Sequence, residues 1–507
     1  MTRFASFSLS LLVGLSAVPV DADQSLEDLH LLTVPRTEDE RARIATATAP
    51  TIDFTQAERF EANQAGAATV RVRDNSNAFS QASGNISFER ELDFKVGNGL
   101  FRKLWVSSPS STLASDGLGP LYNARSCQRC HLKDGRGHPP EKPDDSAVSM
   151  LMRVSIPGGP GVDEIEGYIA TLPDPTYGGQ IQDFSVAGHA AEANIAITYT
   201  EETIALSDGE TASLRKPVYD LTNLGYGPLH DDVMMSARVA PQMIGLGLLD
   251  AIPTEDILAL ADPDDADGDG ISGRAQIVMS AQFGQPMLGR FGLKAGKPSV
   301  REQSAAAFSG DIGISNSIFP AAAGDCTAAQ TACQEAPNGN TAIHDNAEIG
   351  DEGLDLVAFY SSNLGVPARR DVDDPEVLRG KQVFYETGCI SCHTPKHVTH
   401  RLENQPEQSF QLIWPYTDML LHDMGEGLAD NRPEGRATGR EWRTPPLWGI
   451  GLTKTVSGHT YFLHDGRARS LLEAVLWHGG EAETHKQAVV AMPAPDRAAL
   501  IRFLESL

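Results

Sequence analysis

The sequence predicts a mainly α-helical chain with a β-rich insertion, organised as two halves. Three observations carry this reading. Two Cys-x-x-Cys-His motifs lie far apart, Cys127-Gln-Arg-Cys130-His131 and Cys389-Ile-Ser-Cys392-His393. Short helical patterns and loops surround both of them. Between them, over about residues 148–227, the pattern changes to period-two alternation, clearest in Met150–Ile156 and Asn194–Tyr199.

Each Cys-x-x-Cys-His motif is the signature of covalent haem attachment. The two thiols add across haem vinyl groups and the adjacent histidine becomes the proximal iron ligand. Cys127, Cys130, Cys389 and Cys392 are therefore the expected attachment residues for two covalently bound haem c groups, with His131 and His393 as proximal ligands. Two other chemistries use paired cysteines. Zinc ribbons need four close ligands. A thioredoxin-type pair follows a strand in a βαβ unit and needs no histidine after it. Here both pairs carry the histidine in polar, loop-rich surroundings, which favours haem. Small cytochrome c domains are helical with little β structure. The expected arrangement is thus two cytochrome c-like haem domains, 51–370 and 371–507, with the β-rich insertion inside the first.

Taken in order, the elements are as follows. A chain of 507 residues suits two or three domains. Arg3, the apolar stretch Phe4–Val18 and the small-residue end Val20-Asp21-Ala22 form a signal peptide over 1–22. The stretch is too short for a membrane anchor, and no later apolar run is long enough to span. Export to the periplasm as a soluble protein is the expectation. Residues 23–50 are polar, charged and Ala/Thr-rich and read as a flexible leader. Glycine-rich stretches, Asp116–Pro120 and Asp134–Gly137, flank the first motif. Ser207-Asp-Gly-Glu210 is a hairpin-turn signal between two strand-like runs. Residues 228–310 return to helix and loop, and 311–345 form a Gly/Ala/Asn-rich loop. Asp345–Leu364 is helical in pattern, and Arg369–Pro375 reads as a charged linker. The last helix is capped at Pro495-Asp496, with Leu500, Ile501, Phe503 and Leu504 as its core face.

Six cysteines minus the four in the motifs leave Cys326 and Cys333. In an oxidising compartment the simplest reading is a local disulfide. Nothing in their surroundings lowers a thiol pKa, which argues against a redox-active pair. The net charge of -27 makes nucleic acid and anionic membranes poor partners. It suits steering of a basic redox protein, or solubility alone. Asp265-Ala-Asp267-Gly-Asp269-Gly270 alternates carboxylates before a glycine, like the first half of a calcium loop. The position expected to hold the closing glutamate is Gln276, so a full EF-hand is not expected. A looser calcium site and a solvated acidic turn both fit.

The distal ligands decide function. A haem with two protein ligands moves electrons, while one with an open sixth position can activate peroxide. Candidates near the second motif are His422, Met424, His459, His464, His478 and His485. Near the first they are His138, His189, His230, Met234, Met235 and Met243. The stretches Arg443–Trp448, Tyr461–Gly466 and Ser470–Val475 resemble the C-terminal half of bacterial di-haem cytochrome c peroxidases and their MauG-like relatives. In those proteins the residue three after the Ala-Val pair is the distal ligand of the electron-transfer haem, usually Met. The matching position here is His478, a departure that implies a lower potential. Met424 is the alternative.

More of the chain, from about residue 70 to the end, is similar to the bacterial di-haem oxidoreductase family of peroxidase type, also called thiol oxidoreductases. Asp116–Cys127, Asp262–Arg274, Tyr416–Gly425, Glu441–Gly449 and His464–Arg467 carry this resemblance. It implies a peroxidase-like enzyme, with one electron-transfer haem and one haem meeting peroxide or another substrate. The electron donor would be a small cytochrome or cupredoxin. The thiol label finds no free cysteine to support it. The alternative is a non-catalytic electron-transfer cytochrome, and a third reading is a partner protein in assembly or metal handling. No catalytic residue can be chosen from the sequence. Arg136, Arg443 and Arg467 are candidates to neutralise haem propionates. Trp105, Trp442, Trp448 and Trp477 are candidates to carry electrons between haems, or simply core.

Overall fold

Thr37 opens the first helix, Glu38–Thr48, through a capping box: Thr37 and Glu40 each accept the other's backbone N–H. The computed structural model of the protein describes residues 26–112, 114–142 and 148–507. The expected signal peptide, 1–22, lies outside the described residues. The described part of the segment expected as a flexible leader is tied down. Thr33–Val34 pairs antiparallel with Arg401–Leu402. Arg36 bonds Asp256 at 2.8 Å, and buried Arg290 bonds Asp28 at 2.6 Å. A polar composition suggested mobility because these partners are remote in sequence.

The helix Phe88–Arg102 packs on Asp351–Ser362, with Phe94, Phe101, Leu354, Val357 and Tyr360 between them. Gly97 permits the approach, since a Cβ there would lie 2.2 Å from the Leu356 carbonyl oxygen. The turn Cys127–Cys130 sits beside this pair, with Cys127 packed on the same core.

Strand Met150–Pro157 pairs with Met234–Val239 on one edge and with Gln180–Ile181 and Thr171–Leu172 on the other. Met150, Met152 and Val154 alternate into the core, as period-two patterning requires. A long hairpin joins Asn194–Ala205 to Thr211–Thr222, and its turn over Ser207–Gly209 falls at the Ser-Asp-Gly-Glu signal. The hairpin reaches the C-terminal half. Leu206 and Leu214 enter the core of Leu500 and Phe503, and Arg497 bonds Glu210 at 2.6 Å.

In that half the helix Pro375–Glu386, with Asp374 as its cap, packs on the final helix Ala494–Ser506. Leu500, Phe503 and Leu504 are buried, and Ile501, half-buried, packs against the same core. The helix starts at Ala494, ahead of the expected cap. The stretch expected as a charged linker is built in: Arg369 is buried and ion-paired with Glu61. A further core joins Phe79, Ile244 and Leu248 to Ile413, Leu420 and Trp448. Packing is therefore continuous across the expected boundary at 370/371. Among the described residues no helix is long and apolar enough to cross a membrane.

Candidate functional site

Each Cys-x-x-Cys-His motif is closed by a distant segment that takes the histidine's N–H. His131 Nδ1 donates to the Pro241 carbonyl at 2.8 Å. Residues 240–243 also receive the Gly137 N–H on Ala240 and give the Met243 N–H to Asp134. His393 Nδ1 donates to the Tyr416 carbonyl at 2.9 Å, and Thr417 and Asp418 bond back to Thr394 and Cys392. Tyr416 has φ 52°, a left-handed conformation costing about 1–2 kcal/mol for a non-glycine residue. That strain is spent on turning its carbonyl to His393. In both histidines the carbonyl fixes the proton on Nδ1 and leaves Nε2 bare. Burial pushes both down to about 4, against the opposing effect of the carbonyl bond. Both are neutral imidazoles, the form that ligates a metal.

Cys127, Cys130, His131, Arg136, Asp183 and Asp311 are deep in the protein yet keep some accessible surface. The same holds for Cys389, Cys392, His393, Arg443 and His478. These residues therefore line internal space beside each motif. Burial pushes the thiols of Cys127 and Cys389 up to about 12.

The cations fit a haem. Among the described residues the Arg136 guanidinium donates to the backbone carbonyls of Tyr461 and Leu463. Arg443 donates to those of Gly292 and Thr444 and approaches the Met419 sulfur. Neither has a carboxylate in ion-pair contact among the described residues, and burial pushes both down to about 10. A buried guanidinium with no carboxylate in direct contact, Asp465 acting on Arg136 and Asp418 on Arg443 only from a distance, suits an anionic group such as a haem propionate. Arg467 differs. It is committed to Asp465 at 2.7 Å and is not free for that role.

His478 Nδ1 donates to the Ala474 carbonyl at 2.8 Å, leaving its Nε2 bare as well. It is close enough to His393 to lower that residue's proton affinity. Met424 lies next to it, because the Met424 carbonyl abuts Gly479. His422 is excluded as an iron ligand. Its ring nitrogens donate to Asp418 at 2.8 Å and Glu481 at 2.7 Å. Burial opposes its charge, but the two carboxylates raise its pKa well above the ordinary value. It is a fixed imidazolium beside Cys392. His459, expected near the second motif, instead bonds the Arg136 carbonyl and stands 5.4 Å from His138, next to the first. His485 bonds the Thr387 carbonyl just ahead of the second motif. His189 is half-buried and His230 exposed, and Met235 packs in the core of the β-rich region with Met234 beside it. Met243 packs with Cys127.

Two carboxyls that sequence reasoning missed share the first motif's space. Asp183 and Asp311 both act on Cys130, and Asp311 on Cys127. Asn123 Nδ2 donates to Asp183 at 2.9 Å, and Gln180 Nε2 donates to Asn123 and to Asp311 at 2.9 Å. Burial pushes Asp183 up to about 7 and raises Asp311. No motif marks them, because three separate segments bring them together.

Of the expected tryptophans, Trp105 carries Lys103 Nζ 3.7 Å over its ring, Trp442 carries Lys294 at 4.5 Å, and Trp477 carries Arg467 at 4.9 Å. A cation on the face makes an indole harder to oxidise. Trp448 is fully buried without such a cation among the described residues.

Cys326 and Cys333 form a disulfide. In the acidic loop, carboxylate oxygens of Asp262, Asp265 and Asp267 lie within 4.8 Å of one another. Asp269 is not in that group, and its Oδ1 accepts the Ile271 N–H. Asp262, Asp265 and Asp267 likewise accept backbone N–H groups of the loop. These bonds alone account for its shape.

The family model described as "Di-haem oxidoreductase, putative peroxidase" matches residues 59–507. No curated protein matches the chain. Among solved structures, a Kuenenia stuttgartiensis hydrazine synthase pressurised with xenon is similar at 17% identity with a TM-score of 0.22. The similarity covers 32% of this chain and 57% of that one, little more than half its length. The family match spans most of the sequence and includes both motifs, so the chain belongs to the di-haem oxidoreductase family.

Proposed function

We propose that the protein is an exported di-haem c-type cytochrome of peroxidase type. Cys127 and Cys130 would hold one haem with His131 as proximal ligand, and Cys389 and Cys392 the other with His393. Arg136 and Arg443 would face the propionates. When bound, the haems supply irons that pass single electrons and, where the sixth position is open, reduce peroxide.

One asymmetry carries this reading. His393 has a second bare imidazole, His478, acting on it. Among the described residues no imidazole has a like effect on His131, and Asp183 and Asp311 act on its motif's Cys130 instead. The second half is thus furnished for electron transfer and the first for chemistry. A carboxyl near 7 can take a proton from peroxide and return it to the oxygen that leaves as water. Asn123 and Gln180 hold Asp183 and Asp311 in fixed relation. The acidic surface suits a small basic cytochrome or cupredoxin as electron donor.

The test is the optical and spin-resonance spectrum of protein made in a host that attaches haem c. One low-spin bis-histidine haem and one high-spin ferric haem that binds cyanide are expected. Two low-spin haems in every redox state, neither binding cyanide or peroxide, would reject the enzyme in favour of a non-catalytic cytochrome.

A further inference from the structure

We infer that electrons pass between the two haem sites along a chain of covalent and hydrogen bonds through Gln242 and the main chain of Trp448, joining the two proximal histidines. The inference rests on the di-haem reading above and adds a route to it. The chain can be followed atom by atom. His131 Nδ1 donates to the Pro241 carbonyl at 2.8 Å. The next residue is Gln242, whose side-chain Nε2 donates to the Trp448 carbonyl at 2.6 Å. The residue before Trp448 is Leu447, whose N–H donates to the Pro415 carbonyl at 2.8 Å. The next residue, Tyr416, accepts His393 Nδ1 at 2.9 Å.

Four hydrogen bonds and the covalent links between them leave no through-space gap from one imidazole to the other. Bonded orbitals carry electronic coupling better than empty contacts, so an unbroken chain is favoured over a route with jumps. The surroundings hold it still. Trp448, Pro415 and Tyr416 are buried, and Gly245, with φ 73°, lies so close that a Cβ would meet the indole at 2.3 Å. The peptide units are planar and fixed. The rival is hole transfer across indole rings. Cations sit over Trp105, Trp442 and Trp477 and disfavour it there. Among the described residues it remains open for the Trp448 and Trp414 rings, which carry no cation and are borne by the same backbone.

The transfer moves one electron and no atom. With both haems bound, the iron held by His393 would be oxidised by one electron as the iron held by His131 is reduced by one. The electron is first supplied by a donor protein or by dithionite.

Gln242 is a positioning residue, since its side chain touches neither histidine. The test compares Gln242→Leu and Trp448→Phe in the haem-loaded full chain. The readout is the rate of inter-haem electron transfer after photolysis of the carbon monoxide-bound half-reduced protein. The spectrum and potential of each haem are recorded as well. Gln242→Leu removes the donor but keeps the bulk, and the rate should fall by about an order of magnitude at unchanged potentials. Trp448→Phe keeps the main-chain carbonyl and should leave the rate near wild type. An unchanged rate in Gln242→Leu overturns the route. A loss confined to Trp448→Phe replaces it with transfer through the indole. Protein that carries no haem under attaching conditions overturns the di-haem reading itself, a result distinct from normal loading with an unaltered rate.

Discussion

Trp442 and His464 stack face to face, their ring centroids 3.9 Å apart and their planes 13° from parallel. Trp442 lies on a short strand paired with His422 in the loop around the second motif. His464 comes from the loop that supplies a carbonyl to Arg136, next to the first motif, and another to Val239 at 2.8 Å. The stack therefore links the surroundings of both motifs. Burial pushes His464 down to about 4, so the ring is held neutral. The unfolded chain takes up its proton first as pH falls below about 6.5. Stability from this residue is full above that value and is lost as pH falls toward 4. His464→Phe should keep the stack and flatten that part of the stability–pH profile. His464→Ala should forfeit about 0.5–1.5 kcal/mol of ring pairing, plus a cavity cost. Urea unfolding at pH 5 and pH 7 measures both.

The neighbouring Asp465 is fully buried and accepts Arg467 at 2.7 Å and the Tyr219 hydroxyl at 2.6 Å. Burial works against its charge, but the Arg467 guanidinium and the Tyr219 hydroxyl hold its carboxyl well below the usual range. Asp465→Asn would leave the Arg467 guanidinium buried and unpaired. The expected loss is about 3–5 kcal/mol, seen as a lower urea midpoint. Adding Arg467→Met should recover part of it, since the cost lies in the orphaned charge.

The Cys326–Cys333 bridge closes a loop of sequence separation 7. Asp325, the residue just before Cys326, accepts the N–H groups of Gly179 and Gln180 at 2.6 Å and 3.1 Å. The staple thus presses on the segment that holds Gln180 and Asp183. Replacing both cysteines by serine should cost about 2–3 kcal/mol by loop entropy. Thermal unfolding with and without reductant should show the same difference in the wild type and none in the variant.

His478→Ala should turn the second haem high-spin in the ferric spectrum, because it removes the imidazole proposed as the sixth ligand. Met424→Leu should leave that haem low-spin. A low-spin haem in the His478 variant and a high-spin one in the Met424 variant would exchange the two assignments.

The motifs, the hairpin turn at Ser207–Gly209 and the closing helix were legible because each is local. Spacing, turn chemistry and helical period need no partner. The leader was misread although its signal was present: Thr37 and Glu40 stand at capping-box spacing. Low hydrophobicity outweighed it, and only remote partners such as Asp256 and Arg290 explain why the segment is ordered. The site divides in the same way. Proximal histidines follow from the motif, but the carbonyls that orient them, on Pro241 and Tyr416, carry no sequence mark. His422 looked like a ligand because a histidine beside a methionine is a plausible donor. Two carboxylates from separate segments make it a cation instead.

Asp183 gives the sharpest test of the chemistry. Its carboxyl is buried, hydrogen-bonded to Asn123 and pushed up to about 7. To take a proton from peroxide it must be ionised, so the rate constant for reaction with peroxide should rise as pH rises through about 7 and level off above it. Asp183→Asn keeps the size and the contact with Asn123 but cannot accept a proton. Stopped-flow measurements should find that limb gone and the plateau lowered by about 10²–10⁴-fold. Cyanide affinity and both haem spectra should hold, which separates lost proton transfer from a damaged pocket. If the limb persists in Asp183→Asn, the titrating group lies elsewhere. Asp311 is then next, since it shares the same space and its pKa is also raised by burial. In that case Asp311→Asn should remove the limb that Asp183→Asn left in place.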